Sequence, residues 1–304
     1  MKFLIIFFIL IVVIFLVFKK NIYFDFKKIY FLNTKNIKII DKDLGHYINY
    51  ISIHEIYDKI GYSENNKDII KEIYKNNILD FSKKEKTIIT KYINYIQKKY
   101  NYQFLKKNWN IIKISNFLEK GMPFTLGQFI YLPEHFIDNM ININNQHKLK
   151  IYEVLIHEKI HILQRNNQQF FNNFYIKKLN YIYSNININK KWKMLHFKNP
   201  DGLDINWILK SKNQYFLPLL ICKNHTIEEI VIKLNYKNKK FFTTNENILA
   251  NKSKLFKYYP KNIGKYHPNE IVAYILPKII LNTQTFTKNI DIIFTEFLNS
   301  LKKF

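Results

Sequence analysis

The sequence predicts an α+β fold with a small antiparallel insertion, preceded by one N-terminal transmembrane helix. Three observations predict this fold class. Residues 3–18 are uninterrupted apolar residues at the start of the chain. Stretches typical of helices and strands then follow in the order helix, strands, long helix, insertion, helix. Finally, 304 residues with 47% hydrophobic content are sufficient to bury a large core, which excludes a disordered chain.

The apolar run at 3–18 lies between Lys2 and the pair Lys19 and Lys20. As a helix it would span roughly 24 Å, slightly less than the ~30 Å hydrocarbon core, and the flanking lysines could reach the interfaces. No small residue follows in FKKNIYFD, which favours an uncleaved anchor over a cleavable signal peptide. We therefore expect a single-pass membrane protein, anchored through residues 3–18. Lysines after the run outnumber Lys2 and favour a cytoplasmic body, but so lysine-rich a chain leaves the side of the membrane open.

Composition limits the classes of partner. The net charge is +25, yet Arg165 is the single arginine among the 48 basic residues. The lysines are spread among Asn and Ile along the whole chain, as AT-rich codon usage would produce. Because arginine is the residue that binds phosphates and base edges bidentately, we expect no nucleic-acid partner, with a functional basic surface as the alternative. Cys222 is the single cysteine, which excludes an internal disulfide and a cysteine-based zinc site.

The predicted divisions are the anchor at 1–20, a juxtamembrane and helical region at 21–79, and one domain at 80–304. Two helices precede the first strand. One covers 66–78, and the other covers 82–100, where SKKE gives Ser82 and Glu85 the spacing of a capping box.

Residues 108–165 combine strands with a long helix. NIIKIS and QFIYLP predict strands, GMPFTLG a turn-rich link between them, and 148–165 a helix. The Asn/Ile tracts at 140–146 and 184–190 predict loops. WILK, YFLPLLIC and EEIVIKL predict three strands of a small antiparallel insertion, and 268–281 and 287–301 predict closing helices.

The long helix carries HEKIH, an instance of His-Glu-x-x-His. Chance predicts only about 0.01 such motifs in a chain of this composition. Residues four apart share one face of a helix, so His157 and His161 can point two imidazoles at one zinc ion. Glu158 is rotated about 100° from His157 and is placed to act on a metal-activated water. Two ordinary helix histidines are the alternative. Lys159 stands where zinc peptidases usually carry an uncharged residue, which predicts a partly open face.

A catalytic zinc site needs a third protein ligand. Gln164 and Asn167 exclude an H-E-x-x-H-x-x-G-x-x-H site, and no Glu occurs between Lys159 and Ile227. The sequence HPNEIVAYILP therefore supplies the favoured ligand, Glu270, in the first turn of a helix that begins with proline. Ala273, one turn later, would let this helix approach the HEKIH helix closely. The competing ligands are His196, Asp201, Asp204 and His267, and Glu270 could instead stabilise the helix dipole.

HEKIH followed at a distance by NEIVA resembles the gluzincin-type zinc metallopeptidases, especially those with a long insertion before an E-x-x-A helix, as in membrane-bound CAAX-processing enzymes. The resemblance covers two short motifs and identifies no specific family. It implies a zincin-like catalytic domain at 80–304, a Zn²⁺ cofactor and a peptide or protein substrate. Those families often carry Asp after the Ala, where Tyr274 stands here. His267, Tyr274 and His196 are candidates for stabilising the oxyanion.

Two further features bear on substrate. In the zincin fold an extended peptide pairs with an edge strand, and GMPFTLGQFIYLP is where that strand would lie; a simple hairpin is the alternative. Arg165 could hold Asp201, Asp204 or a substrate carboxylate, and we favour a structural ion pair. NPDGLD at 199–204 predicts a turn.

The predicted function is a membrane-anchored zinc metallopeptidase with His157, His161 and Glu270 as ligands and Glu158 as base. The alternatives are a non-catalytic, membrane-tethered basic protein that binds nucleic acid or anionic lipid, and a zinc hydrolase with a different substrate.

Overall fold

Two β-sheets and eleven α-helices make up the residues that the computed structural model describes, 29–142 and 147–304. The first sheet contains β1 (Ile29–Phe31), β2 (Ile78–Leu79), β3 (Trp109–Ile114), β4 (Phe124–Leu126) and β5 (Phe129–Pro133). The second contains β6 (Tyr181–Tyr183), β7 (Ile186–Asn187), β8 (Trp207–Ser211), β9 (Gln214–Lys223), β10 (Thr226–Lys237) and β11 (Lys240–Leu249).

The helices lie before, between and after the strands. They are α1 (Asp41–Tyr50), α2 (Ile53–Ile60), α3 (Lys67–Asn76), α4 (Lys83–Lys99), α5 (Gln103–Lys106), α6 (Glu134–Asn142), α7 (Lys148–Asn166), α8 (Gln168–Lys178), α9 (Lys190–Leu195), α10 (Pro268–Leu281) and α11 (Lys288–Ser300). The predicted capping box is present at the start of α4, where the backbone N–H of Glu85 donates to Ser82 Oγ and that of Ser82 donates to the Glu85 carboxylate.

The first sheet is covered on both faces. Its order is β1-β3-β5-β4, with β2 pairing to the end of β3; β3 runs parallel to β1 and β5, and β4 is an antiparallel edge strand. Alternate residues of β3 enter different cores: Ile111 joins a cluster with α4, α7 and α10, and Ile112 joins a cluster with α1 to α3. This explains why NIIKIS has no polar face, since a strand buried on both sides needs apolar residues at successive positions.

Residues 29–79 belong to the same sheet as the residues that follow. β1 and β2 both pair with β3, and Tyr47 and Tyr74 pack in the core that contains Ile112. The structure therefore has no break in packing at the predicted division between residues 79 and 80.

The second sheet is larger than the predicted insertion. Its order is β6-β8-β9-β10-β11-β7, and its three longest strands form an antiparallel meander with a register shift between Ile232 and Leu234. The strands β8, β9 and β10 were predicted but β11 was not, because the polar run TTNEN separates the apolar residues of KFFTTNENIL and leaves no alternating apolar pattern. Pairing with β10 along most of β11 stabilises this strand.

The predicted fold class was wrong in its membrane helix. Among the described residues, no helix is long and apolar enough to cross a membrane. Even the apolar helix α10 has 14 residues, about 21 Å, and contains Glu270 and Lys278. The apolar residues of α10 pack against other parts of the protein, so the helix can also contain the two charged residues. The predicted span at 3–18 lies outside the described residues, as do residues 143–146 of the predicted loop at 140–146. The architecture observed is α+β.

Candidate metal centre

The helix α7 carries HEKIH through the middle of the molecule. Most of its residues between Ile151 and Gln164 are buried, because the first sheet lies against one side and α10 against the other. His157 and His161 are one turn apart on the side that faces α10. Lys159 is also buried, with 4% of its surface exposed, so the predicted open face is wrong: its ammonium donates to the backbone oxygen of Asn108 and lies 5.1 Å from the centre of the Trp109 ring.

The helix α10 brings Glu270 to the same place. Pro268 occupies the first turn, and the N-cap residue His267 accepts a hydrogen bond from the backbone N–H of Asn269 at 3.1 Å. Glu270 follows in that first turn and is 3% exposed. Ala273 is fully buried, as the predicted close packing of the two helices requires.

Three side chains converge on one point. The Nε2 atoms of His157 and His161 are 2.9 Å apart. Glu270 Oε2 lies 3.7 Å from His157 Nε2, and Glu270 Oε1 lies 3.5 Å from His161 Nε2. Donor atoms that share one zinc ion at ~2.0–2.2 Å in tetrahedral geometry are about 3.3 Å apart, so this donor set fits the ion. It is the one group of three or more potential ligands found in the described part of the chain.

Both imidazoles are oriented by a second hydrogen bond. His161 Nδ1 lies 2.8 Å from Gln164 Oε1, and the Gln164 amide nitrogen donates to Tyr175 Oη at 3.2 Å and to the Asn269 backbone oxygen at 2.9 Å. The His157 ring is hydrogen-bonded to the backbone of Ala273. Such partners hold the metal-facing nitrogen of a histidine ligand in position. In the sequence Gln164 served only to exclude another motif. Its position three residues after His161, on the same face of the helix, was the signal that could have predicted this contact.

Burial sets the charge states of these groups. It lowers the pKa of His157 and of His161 to about 3, so both rings are neutral at physiological pH, as metal ligation requires. Burial also raises the pKa of Glu270, and the nearby Asp201 carboxylate raises it further. A divalent cation at this point would favour the ionised carboxylate.

Glu158 is buried beside the three candidate ligands without being one of them. It is 4% exposed, and its Oε2 atom has no hydrogen-bond partner. Burial raises the pKa of Glu158, and Asp201 and Glu270 raise it further. A carboxylate with a raised pKa and a free oxygen can accept and return a proton.

The centre opens onto a cleft of about 720 Å³. Its walls come from α7, α10, β4 with the turn before it, β9, β10, the 199–201 loop and the 261–266 loop. Among the predicted oxyanion groups, Tyr274 lines this cleft, and its ring meets that of His157 edge to face at 4.6 Å.

Two residues at the centre were missed by the sequence analysis. Tyr266 forms a side-chain hydrogen bond with Glu270, and Asn199 Nδ2 donates to Glu270 Oε1 at 3.4 Å and to the Tyr266 hydroxyl. Both line the cleft. They lie in loops without a periodic pattern, so no sequence signal predicted them.

Three of the four competing ligands lie elsewhere, and the fourth, Asp201, lines the cleft but pairs with Arg165. His267 Nε2 lies 2.9 Å from Asp204 Oδ1, and both residues line a separate small cavity together with His196. The other His267 ring nitrogen caps α10. The structure thus brings neither His267 nor His196 into the cleft, and the contacts of His267 position α10.

Arg165 and Asp201 form the structural ion pair that the sequence analysis favoured. Arg165 Nη2 lies 2.8 Å from Asp201 Oδ1 and also donates to the backbone oxygen of Thr125 at 2.8 Å. The Asp201 carboxylate accepts from the Thr125 backbone N–H at 3.2 Å. The ion pair therefore holds α7, the 199–201 loop and the edge strand β4 together.

The segment GMPFTLGQFIYLP contains β4 and β5, which pair as a hairpin, and β4 is also an edge strand of the first sheet.

Comparison with known proteins returned no match to this chain among family models, curated proteins or solved structures. The function proposed below therefore depends on the geometry of the centre itself.

Proposed function

We propose that this protein is a zinc-dependent metallopeptidase that hydrolyses peptide bonds with a metal-activated water. The observation that supports this most directly is the spacing of the donor atoms: the His157 and His161 Nε2 atoms are 2.9 Å apart, and each Glu270 oxygen lies 3.5–3.7 Å from one of them, at the wall of a cleft of about 720 Å³. Zinc would act there as a Lewis acid that polarises a carbonyl and lowers the pKa of a water.

Residues around the centre would carry out proton transfer, stabilise the oxyanion and orient the ligands. Glu158 takes the proton of the attacking water and delivers it to the leaving nitrogen, since its Oε2 is free and its pKa is raised. Tyr274 is the hydroxyl available in the cleft for the developing oxyanion, since His267 and His196 line a different cavity. Gln164 and the Ala273 backbone hold the two imidazoles in place.

Peptide is the preferred substrate because of the shape of the site. The cleft has a volume of about 720 Å³, and Met122, Pro123 and Phe124 form one of its walls, so that an extended chain can lie along them. The sequence resemblance to gluzincin-type peptidases points to the same substrate class.

The test is hydrolysis of a mixture of random peptides by the purified full-length chain, followed by mass spectrometry. We expect cleavage that stops after treatment with a chelator and returns with about one equivalent of zinc. Absence of cleavage by the zinc-loaded protein would reject the proposal, and cleavage that persists in the Glu158→Gln variant would reject the role of this carboxylate.

A further inference from the structure

The cleft extends from the metal centre in one direction along the two helices. Its lining residues on α7 run from Lys150 to Glu158, and those on α10 run from Glu270 to Lys278. Glu270 contacts the two histidines, whereas Lys278 pairs with Glu153 at 3.3 Å. The helices therefore run in opposite directions, and both sets of lining residues lead from the metal centre toward the beginning of α7.

The other direction is closed by the 199–201 loop. Along β4, Met122, Pro123 and Phe124 line the cleft and Thr125 does not. The outward N–H and C=O of Thr125 are already bonded, to the Asp201 carboxylate at 3.2 Å and to the Arg165 guanidinium at 2.8 Å. A bound peptide therefore has no free backbone partner at Thr125, and the buried Asp201 side chain blocks the space in front of it. The 199–201 loop is therefore the closed end of the cleft along β4, and Asn199 of this loop contacts Glu270 of the metal centre at 3.4 Å.

A further carboxylate lies in the cleft near the metal centre, with the buried Lys265 ammonium within electrostatic range. Glu229 on β10 lines the cleft, and its Oε1 accepts a hydrogen bond from the Lys265 backbone N–H at 3.1 Å. The preceding residue, Gly264, packs on Glu270 and Tyr274: a Cβ there would lie 3.1 Å from Glu270 Cβ and 3.2 Å from the Tyr274 ring. Glu229 is thereby fixed next to the metal centre, and it forms no ion pair with any described residue.

We infer that this site removes residues from the amino end of a peptide and holds the substrate α-ammonium on the Glu229 carboxylate. This inference depends on the proposed peptidase function. The α-nitrogen of a terminal residue is about 2.5 Å from its own carbonyl carbon, so a carbonyl at the metal centre brings the ammonium to the closed end. In the reaction, the water hydroxyl adds to that carbonyl carbon, the C–N bond breaks, and the water proton goes to the leaving nitrogen, with Glu158 as carrier.

The charges at the closed end fit an amino terminus better than a carboxyl terminus. The Arg165 guanidinium makes its hydrogen bonds to Thr125, Gly127, Pro200 and Asp201. Of the lysines that line the cleft, Lys120 pairs with Asp58 and Lys278 with Glu153, and Lys150 and Lys261 are exposed at its rim. The buried charged side chains that line the cleft at the centre are the carboxylates Glu158, Asp201 and Glu270, which attract an ammonium and repel a carboxylate. The buried Lys265 ammonium does not line the cleft.

The experiment compares two matched mixtures of octapeptides with random first positions, one with free and one with acetylated amino ends, digested by the zinc-loaded full-length protein. We expect stepwise loss of single residues from the free amino end, and cleavage of the acetylated mixture at least tenfold slower. Glu229→Gln should lower kcat/KM for free peptides by about ten- to a hundredfold, the usual loss when a charged hydrogen bond is removed. It should also reduce the ratio of kcat/KM for free peptides to kcat/KM for acetylated peptides, while the zinc content stays unchanged.

Glu228→Gln is the matched control, because Glu228 is the neighbouring carboxylate on β10 but does not line the cleft, and it should change neither quantity. Internal cleavage of acetylated peptides at an equal rate, or stepwise loss from the carboxyl end, would overturn the inference and leave the peptidase proposal intact. A fall in activity with an unchanged free-to-acetylated ratio in Glu229→Gln would overturn the role of Glu229. No cleavage of either mixture by the zinc-loaded protein would overturn both proposals.

Discussion

Glu119 and Glu158 are two buried carboxylates that line the same cleft but differ in how many hydrogen-bond partners they have. Glu119 is saturated: its Oε1 accepts from the hydroxyls of Tyr47, at 2.5 Å, and Tyr74, and its Oε2 pairs with Lys59 Nζ at 2.8 Å. Glu158 Oε2 has no partner. The difference indicates that the first carboxylate holds the fold together, whereas the second is free to act in the proposed hydrolysis.

The saturated carboxylate also supports the wall of the cleft. Glu119, Lys120 and Gly121 have φ values of 50°, 56° and 70°, three successive residues in the left-handed region. Such a backbone is costly for the two residues that carry a Cβ, and it persists where surrounding contacts determine it. The bonds from Tyr47, Tyr74 and Lys59 provide those contacts. The turn then leads directly into the wall residues Met122–Phe124.

The largest effect is expected from Glu158→Gln. The amide keeps the shape of the side chain but cannot accept the water proton, so turnover of a peptide substrate should fall by about 10²- to 10⁴-fold. Zinc content and thermal stability should stay close to wild type, because no hydrogen bond of Oε2 is lost. Glu153→Gln is the control on the same helix and cleft, and its turnover should remain within a few-fold of wild type. Equal losses in both variants would contradict the assignment.

The converse change, Glu119→Gln, should act on stability. It leaves the fully buried Lys59 ammonium without a charged partner, and breaking a buried ion pair from one side costs about 3–5 kcal/mol of unfolding free energy. Urea denaturation measures this. Glu72→Gln removes the exposed pair with Lys75 and should cost less than about 1 kcal/mol. If the two substitutions cost the same, the buried cluster at Glu119 is not what holds the turn.

A third change tests the support of the metal ligands. Gln164→Ala removes the acceptor of the His161 Nδ1 proton, so zinc affinity should fall by about 10- to 100-fold in a competition titration with a chromophoric chelator. Gln168→Ala, at an exposed position on the next helix, should leave the affinity unchanged. Unchanged affinity in Gln164→Ala would show that His161 is oriented by other contacts.

The smallest effect concerns a buried cation that, unlike Lys59, has no carboxylate partner. Burial lowers the pKa of Lys159 to about 7. In the unfolded chain the lysine pKa is about 10.4, so between pH 7 and pH 10 the unfolded state holds a proton that the folded state has lost. The unfolding free energy of the wild type should therefore rise with pH in this range, by at most about 1.4 kcal/mol per pH unit. Lys159→Met should lack that gain. Urea denaturation of both proteins at pH 7 and pH 9 checks the difference, and parallel pH dependences would contradict it.

The sequence predicted the three side chains that converge at the candidate metal centre better than it predicted their surroundings. His157 and His161 are fixed by helix periodicity, and Glu270 by a proline-started helix, so the three residues followed from local rules. Tyr266, Asn199 and Glu229 could not be predicted, because loops and a distant strand bring them to the centre through tertiary packing. The same applies to the weak strand β11, which forms through pairing with β10. Lys159 looked exposed by residue type, and the bulk of the molecule around α7 buries it.

The most direct test of the account is the metal content of the purified full-length protein and three variants after equilibration with zinc and removal of the excess. We predict about one zinc per chain in the wild type and in His196→Ala, whose buried histidine lies outside the cleft. His161→Ala and Glu270→Ala should each retain less than about a tenth of that amount, since each removes one of three protein ligands. Wild-type protein without zinc, or Glu270→Ala with a full equivalent held as tightly as in the wild type, would contradict the proposed centre.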